Sequence, residues 1–264
     1  MSDARKSPIK DKPLRQPAQS LEEERRTLWS DKVEPYLLQA LMFVVLAILE
    51  WWRYYKDMKP SPIVFTAVAI VAVAFGFWQF FKIRPRMRAL LQGIEGEKVV
   101  GQYLERLREK GYDVFHDIVA PGFNIDHVLI GPAGVMTIET KTWSKPLKGE
   151  ARIKFDGEKL LAGSLAPDRD PVQQARAQAA WLRNSLAEST GKTFDVRPVV
   201  LFPGWFIEKP ADVRSDVWVL EPKALPAFLD HEASQLDARD AKLAAFHLSR
   251  FIRSVERQND SKLA

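Results

Sequence analysis

The apolar residues of this chain follow two different patterns. Residues 1–34 are polar, contain prolines and show no apolar period, so they read as a disordered tail with a short juxtamembrane helix. Two apolar stretches follow. Ile63 to Phe81 is 19 residues without a charge. As a helix it extends about 28 Å, close to the thickness of a bilayer core. Leu37 to Leu49 is a 13-residue run interrupted by Gln39, and it reaches spanning length when Tyr36 and Glu50 to Trp52 are included. Aromatics crowd its far end (Trp51, Trp52, Tyr54, Tyr55), as in an interfacial belt. The pattern predicts two transmembrane helices, about 36–52 and 63–81, within an anchor of residues 35–88. A pair of buried core helices is the alternative, and the long uncharged stretch argues against it. A cleaved signal peptide does not fit, because more than 30 polar residues come first.

From about Leu91 the period changes from one segment to the next. Gly96 to Lys110 has helical spacing, with Val99, Val100, Tyr103, Leu104 and Leu107 as its apolar positions and Gly111 as its stop. Strands are predicted at 113–119, 124–130 and 135–141, the last two joined by Gly131-Pro132-Ala133-Gly134. Asp156-Gly157 marks a hairpin between 153–155 and 159–161. A helix over 171–188 starts at Asp170-Pro171. Strands at 196–202 and 217–220, a short helix near 223–229 and a longer one over 237–255 complete the order. The fold class is α/β: a mixed sheet flanked by helices, preceded by a transmembrane helical hairpin. The expected domain covers 89–220, with C-terminal helices over 221–264 packing on it.

Charge then changes the picture. The chain has 264 residues and a net charge of +5. Residues 1–92 hold 15 Lys and Arg against 9 Asp and Glu, whereas residues 93–264 hold 24 against 25. The positive excess therefore belongs to the membrane flanks and tail, and the α/β region is close to neutral. Seven basic residues flank the outer ends of the two spans (Arg25, Arg26, Lys32, Lys82, Arg84, Arg86, Arg88), against three in the loop (Arg53, Lys56, Lys59). With Pro60 and Pro62 closing a short loop, this predicts an integral membrane protein with both termini cytoplasmic. Any nucleic-acid contact must use a local patch, such as Lys141, Lys145, Lys148, Arg152 and Lys154. Cysteine is absent, which excludes disulfides, thiol nucleophiles and cysteine-ligated metals.

The candidate chemistry lies in the central hairpin. If Ile130 faces Val135 across the turn, Asp126 faces Glu139 and Asn124 faces Lys141. These four then share one face with the apolar Val128, Ile130 and Val135, while Ile125, Leu129, Met136 and Ile138 take the other. Two opposed carboxylates are costly in a sheet, and a divalent cation would relieve the cost. Oxygen ligands suit Mg²⁺ or Mn²⁺. Lys141 either orients a water and stabilises charge on a phosphate, or forms a plain salt bridge to Asp126 or Glu139. His127 falls on the opposite face and reads as a core or interface histidine.

In order along the chain, Gly96-Glu97, Gly122-Phe123-Asn124-Ile125-Asp126-His127 and Gly134-Val135-Met136-Thr137-Ile138-Glu139-Thr140-Lys141 resemble the nuclease-related domain, NERD, a family placed in the PD-(D/E)xK nuclease superfamily. The resemblance covers roughly residues 91–205. It implies that Asp126 and Glu139 are metal ligands with Glu97 as an accessory acid, that Lys141 is the catalytic lysine, and that Gln173, or Gln174 in its place, is the polar helix residue. Ile125-Asp126 stands where the superfamily has Pro-Asp. The implied function is metal-dependent hydrolysis of nucleic acid, DNA favoured, with Mg²⁺ or Mn²⁺ as cofactor and a lipid bilayer as the second partner. The alternative is a catalytically inactive nuclease-fold module that binds nucleic acid or protein at the membrane.

Overall fold

A computed structural model describes residues 14–59, 61–146, 150–161, 170–210, 213–232 and 236–263. Pro60, Lys148 and the first part of the expected tail lie outside the described residues. The chain divides into two compact units: Ser20–Ile94, and the residues before and after it together.

The first unit is helical. Helix α1 (Gln19–Lys32) occupies the second half of the N-terminal stretch, where a short juxtamembrane helix was expected. Helix α2 (Glu34–Tyr55) and the start of α3 (Pro62–Glu105) run antiparallel. The Tyr36 ring meets Phe75 edge-on at 5.3 Å, and at the other end Trp51 Nε1 donates to Thr66 Oγ1 at 3.1 Å. Glu50 is the acid inside the first apolar stretch. It accepts the Ser61 N–H and an Arg53 guanidinium N–H, both at 2.8 Å. Only 11% of each apolar window is buried, and Ile63, Val71 and Trp52 are more than half exposed. A soluble core helix buries such residues, so their exposure speaks against the core-helix alternative. By length and composition both helices can cross a membrane.

Helix α3 does not stop where the expected span ends. It runs unbroken for 44 residues, through Pro85, into the segment predicted as a separate helix from Gly96. Good helix formers dominate from Ala89 to Lys98, and the isolated Gly93 and Gly96 are not enough to end it. Its last turns, Arg106–Lys110, are 3₁₀, and Gly111 at φ 84° closes them.

The second unit is the expected mixed sheet flanked by helices. Strands β1 (Asp113–Ala120), β2 (Phe123–Gly131) and β3 (Gly134–Thr140) form an antiparallel meander. Helix α4 (Pro171–Thr190) then crosses over to β6 (Val196–Leu201), which is parallel to β3, and β8 (Trp218–Leu220) adds in parallel at the edge. The order is β1-β2-β3-β6-β8. A small second sheet joins β4 (Arg152–Phe155), β5 (Leu160–Leu161) and β7 (Phe206–Glu208) in the order β5-β4-β7.

The main sheet carries apolar residues on both faces. One face packs Phe115, Val128, Ile130 and Val135 against Leu182 and Leu186 of α4 and Leu248 and Ile252 of α6 (Ala238–Leu263). The other packs Leu129, Met136 and Ile138 against Val100 and Leu104 of α3 and Leu225 and Leu229 of α5 (Leu225–His231). Ile125 joins the first face, against the expected alternation. The switch occurs at one rung. His116 pairs with His127 and Ile118 with Ile125, which places Asp117 opposite Asp126 between them. Asp117 sits in the left-handed region at φ 50°, and across it both strands change the face they present.

Candidate active site

Site residues gather where β2 and β3 separate. The expected register holds from Gly131↔Gly134 through Ile130↔Val135 to His127↔Ile138. At the next position the ladder gives way to a side chain: Asp126 Oδ2 accepts the Thr140 N–H at 2.7 Å. Two residues of β3 beyond the last β2 rung, Glu139 and Thr140, remain paired with β6 through Val200 and Leu201. Lys141 N–H continues that edge by donating to Leu201 O at 2.9 Å. The carboxylates are thus fixed by backbone on one side and open to side-chain chemistry on the other.

Glu139 is 2% exposed, and both of its oxygens are engaged. Lys141 Nζ donates to Oε1 at 2.5 Å, and Gln178 Nε2 donates to Oε2 at 2.6 Å. Lys141 Nζ also donates to Gln174 Oε1 at 3.0 Å, and Gln178 Nε2 to the Asn124 carbonyl at 3.0 Å. Of the two open readings of Lys141, the salt bridge to Glu139 is present, and it holds the ammonium beside the acid.

The sequence reading placed the helix glutamine at Gln173 or Gln174. Gln173 is exposed on α4, away from these contacts, because Val172, Ala175, Ala179 and Leu182 set which side of the helix is buried. Gln174 and Gln178, one turn apart, face the site. Gln178 was missed, although its spacing of three from Ala175 and four from Leu182 puts it on the apolar side of α4.

Glu97 reaches the site from α3. Gly96 makes this approach possible: a Cβ there would overlap the Thr142 side chain, next to Lys141. Burial, reinforced by the nearby Asp117 and Glu139 carboxylates, pushes the Glu97 carboxyl up to about 8. Asp126 is raised well above the ordinary range, first by burial and then by Glu139 and Glu97. Glu97 thus lies near Glu139 and the unforeseen Asp117, and Asp126 lies near Glu139 and Glu97. Asp117 is buried and bound by Arg15 Nε at 2.7 Å.

His127 is a core residue, as expected. Its Nδ1 lies 2.8 Å from His116 Nδ1, and His116 Nε2 lies 2.8 Å from Glu105. Burial holds both imidazoles below their ordinary pKa, most strongly for His127. Trp143 packs edge-on against Phe202 at 4.8 Å, and its carbonyl accepts Trp205 Nε1.

The donor chemistry fits a hard divalent cation: several buried carboxylate oxygens, with Glu97 and Asp126 pushed toward the neutral form first by burial and then by neighbouring carboxylates. As the side chains stand, however, no three acids or histidines among the described residues converge on one point. Lys141 and Gln178 occupy the oxygens of Glu139, and Thr140 occupies one of Asp126.

A buried acid pair at the splayed end of a meander, a lysine two residues on, an acid from the preceding helix and an amide from the crossover helix define a nuclease-like α/β domain. Residues 92–203, under half of the chain, match the family model of the nuclease-related domain, NERD. No curated protein and no solved structure gives a significant match to the chain.

Proposed function

We propose that this protein is a membrane-anchored nuclease whose α/β domain hydrolyses phosphodiesters of nucleic acid, DNA favoured, with Mg²⁺ or Mn²⁺. One observation supports this above the others: Glu139 and Lys141 are held in contact at the end of β3, beside Asp126 and within the field of Glu97. Asp126 and Glu139, with Glu97, would hold the cation, which supplies Lewis acidity to the phosphoryl group. Lys141 presents an ammonium where negative charge develops on the phosphate and the attacking oxygen. Gln174 and Gln178 keep Lys141 and Glu139 in place. Glu97, its carboxyl pushed up to about 8 mainly by burial, would hold a proton near neutral pH and could give it up beside the reacting centre. The anchor is proposed as a two-helix hairpin with both flanks cytoplasmic, in keeping with the basic residues outside the spans. The test is cleavage of linear and single-stranded DNA by the full chain in Mg²⁺, Mn²⁺ or EDTA. Cleavage with either metal that EDTA and Lys141→Ala both abolish supports the reading; metal-independent cleavage contradicts it.

A second reading, a binding module without catalysis, draws support from the acids not converging in this arrangement. Mn²⁺ calorimetry separates the two. Binding that Asp126→Ala removes favours the nuclease, and absence of binding favours the module.

A further inference from the structure

Asp117 and Glu97 are both held by residues that precede the helical unit. Arg15 Nε donates to Asp117 Oδ2 at 2.7 Å, and the two side chains are only 8% and 4% exposed. The Ala18 N–H donates to the Glu97 carboxylate. Leu14 packs on the core formed by β1, β2, α4 and α6. Pro17 lies against α3 at Gly101, where a Cβ would overlap its ring. Ala18 is fully buried at φ 61°. Among the described residues three non-glycines have positive φ, and two of them, Ala18 and Asp117, belong to this contact. Backbone strain of this kind costs about 1–3 kcal/mol and persists only where the surroundings enforce it. A buried guanidinium is likewise kept only when it is paired. A loose tail shows none of these features.

We infer that Leu14–Gln19 is a strap built into the nuclease-related domain, and that Arg15 is a positioning residue for the carboxylate site. The strap is separated from the rest of the domain by the whole helical unit, so the domain is assembled from both flanks of the anchor. Arg15 fixes Asp117 opposite Asp126, and Ala18 fixes Glu97 on α3. Without the strap, two acids next to the reacting centre lose the groups that aim them. A fragment that begins after the apolar spans, such as residues 89–264, lacks the strap and with it the Arg15 contact. Because the strap and Glu95 onward pack together, helices that cross a bilayer must do so an even number of times.

This inference rests on the nuclease reading for its kinetic consequence and on packing alone for its docking consequence, so two measurements are needed on the full chain in detergent micelles. The first is amide hydrogen exchange over residues 14–19, read by mass spectrometry. Exchange slowed at least about tenfold below the free-peptide rate, and restored toward it in Arg15→Ala, supports the strap. Free exchange in the wild type overturns it. The second is DNA cleavage in Mn²⁺ below the melting temperature of every variant. Arg15→Ala should lower kcat about ten- to a hundredfold with KM within about twofold, and Arg15→Lys should restore part of the loss. Wild-type or faster cleavage by Arg15→Ala overturns the positioning role, the faster case by showing that the strap restrains the site. If the wild type does not cleave at all, the nuclease reading falls, and the exchange measurement still decides the strap.

Discussion

The two units of this chain treat apolar side chains in opposite ways. In the helical unit Ile63, Ile70 and Val71 face outward, each more than 60% exposed. In the α/β unit Ile118, Ile125 and Ile138 are fully buried. Polar groups follow the inverse rule. The acid of the first apolar helix, Glu50, is tied at once to Arg53 and the Ser61 N–H, near the helix end. The acids of the domain are gathered in its interior, where burial and neighbouring carboxylates raise Glu97 and Asp126. The exposed apolar side chains of α2 and the first part of α3 are of the kind that suits a lipid environment by length and composition. The domain has an interior that bears a concentrated electrostatic cost at one place. Such costs, set by burial together with specific charge partners, mark functional sites more often than structural ones.

The largest effects come from placing one charge in each region. Ile138→Asp puts an unpaired carboxylate in the sheet and should unfold the domain, seen as loss of its melting transition. Ile70→Asp should leave that transition intact and weaken membrane insertion by about 2.5–3.5 kcal/mol, read by alkaline extraction. If Ile70→Asp leaves extraction unchanged, the contrast between the units fails.

A smaller effect separates the glutamines of α4. Gln178→Ala removes donors to Glu139 and to the Asn124 carbonyl and should cost about 1–3 kcal/mol of domain stability by thermal melting. Gln173→Ala should stay within about 0.5 kcal/mol of wild type. Equal effects would contradict the helix phase described above.

The acid cluster also predicts a pH dependence. Glu97 rises from 4.5 in the unfolded chain to about 8 in the fold. The native state keeps a proton that the unfolded chain has released, so its contribution is full below about pH 4.5 and is lost as pH rises through 8. Asp126 acts in the same sense. Below pH 6.5 the buried neutral histidines act in the opposite one, losing stability as pH falls. In EDTA, the melting temperature should fall between about pH 6.5 and 8, and Glu97→Gln should flatten that fall. A rising curve would contradict the buried acid cluster.

The smallest effect belongs to the surface. Arg176 spans Glu158 and Asp216 at 2.7 Å each, with both acids well exposed. Arg176→Ala should cost no more than about 1 kcal/mol in the same melts, and less in high salt.

Much of the fold was legible because its signals are local. Alternation gave β1 to β3, the Gly131–Gly134 turn set their register, and Asp170-Pro171 marked the start of α4, whose Asp170 carboxylate accepts the Val172 N–H. The continuity of α3 was hidden because the apolar pattern stops at Phe81 while helix propensity does not. Strand β7 was hidden because three residues carry no period. Within the site, Asp126, Glu139 and Lys141 were legible from their spacing and from the family motif, and Glu97 from the motif alone; the structure brings them into one electrostatic neighbourhood. Asp117 was not legible, since its role depends on a left-handed backbone and on a partner, Arg15, 102 residues away. The face switch that moves Ile125 comes from that same rung.

The account turns on Glu139. The most direct measurement is the rate of DNA cleavage by the full chain in Mn²⁺, wild type against Glu139→Gln, with Gln173→Ala as the control. Wild type and control should cleave, and Glu139→Gln should lose at least about a hundredfold. Equal rates in all three proteins would contradict it.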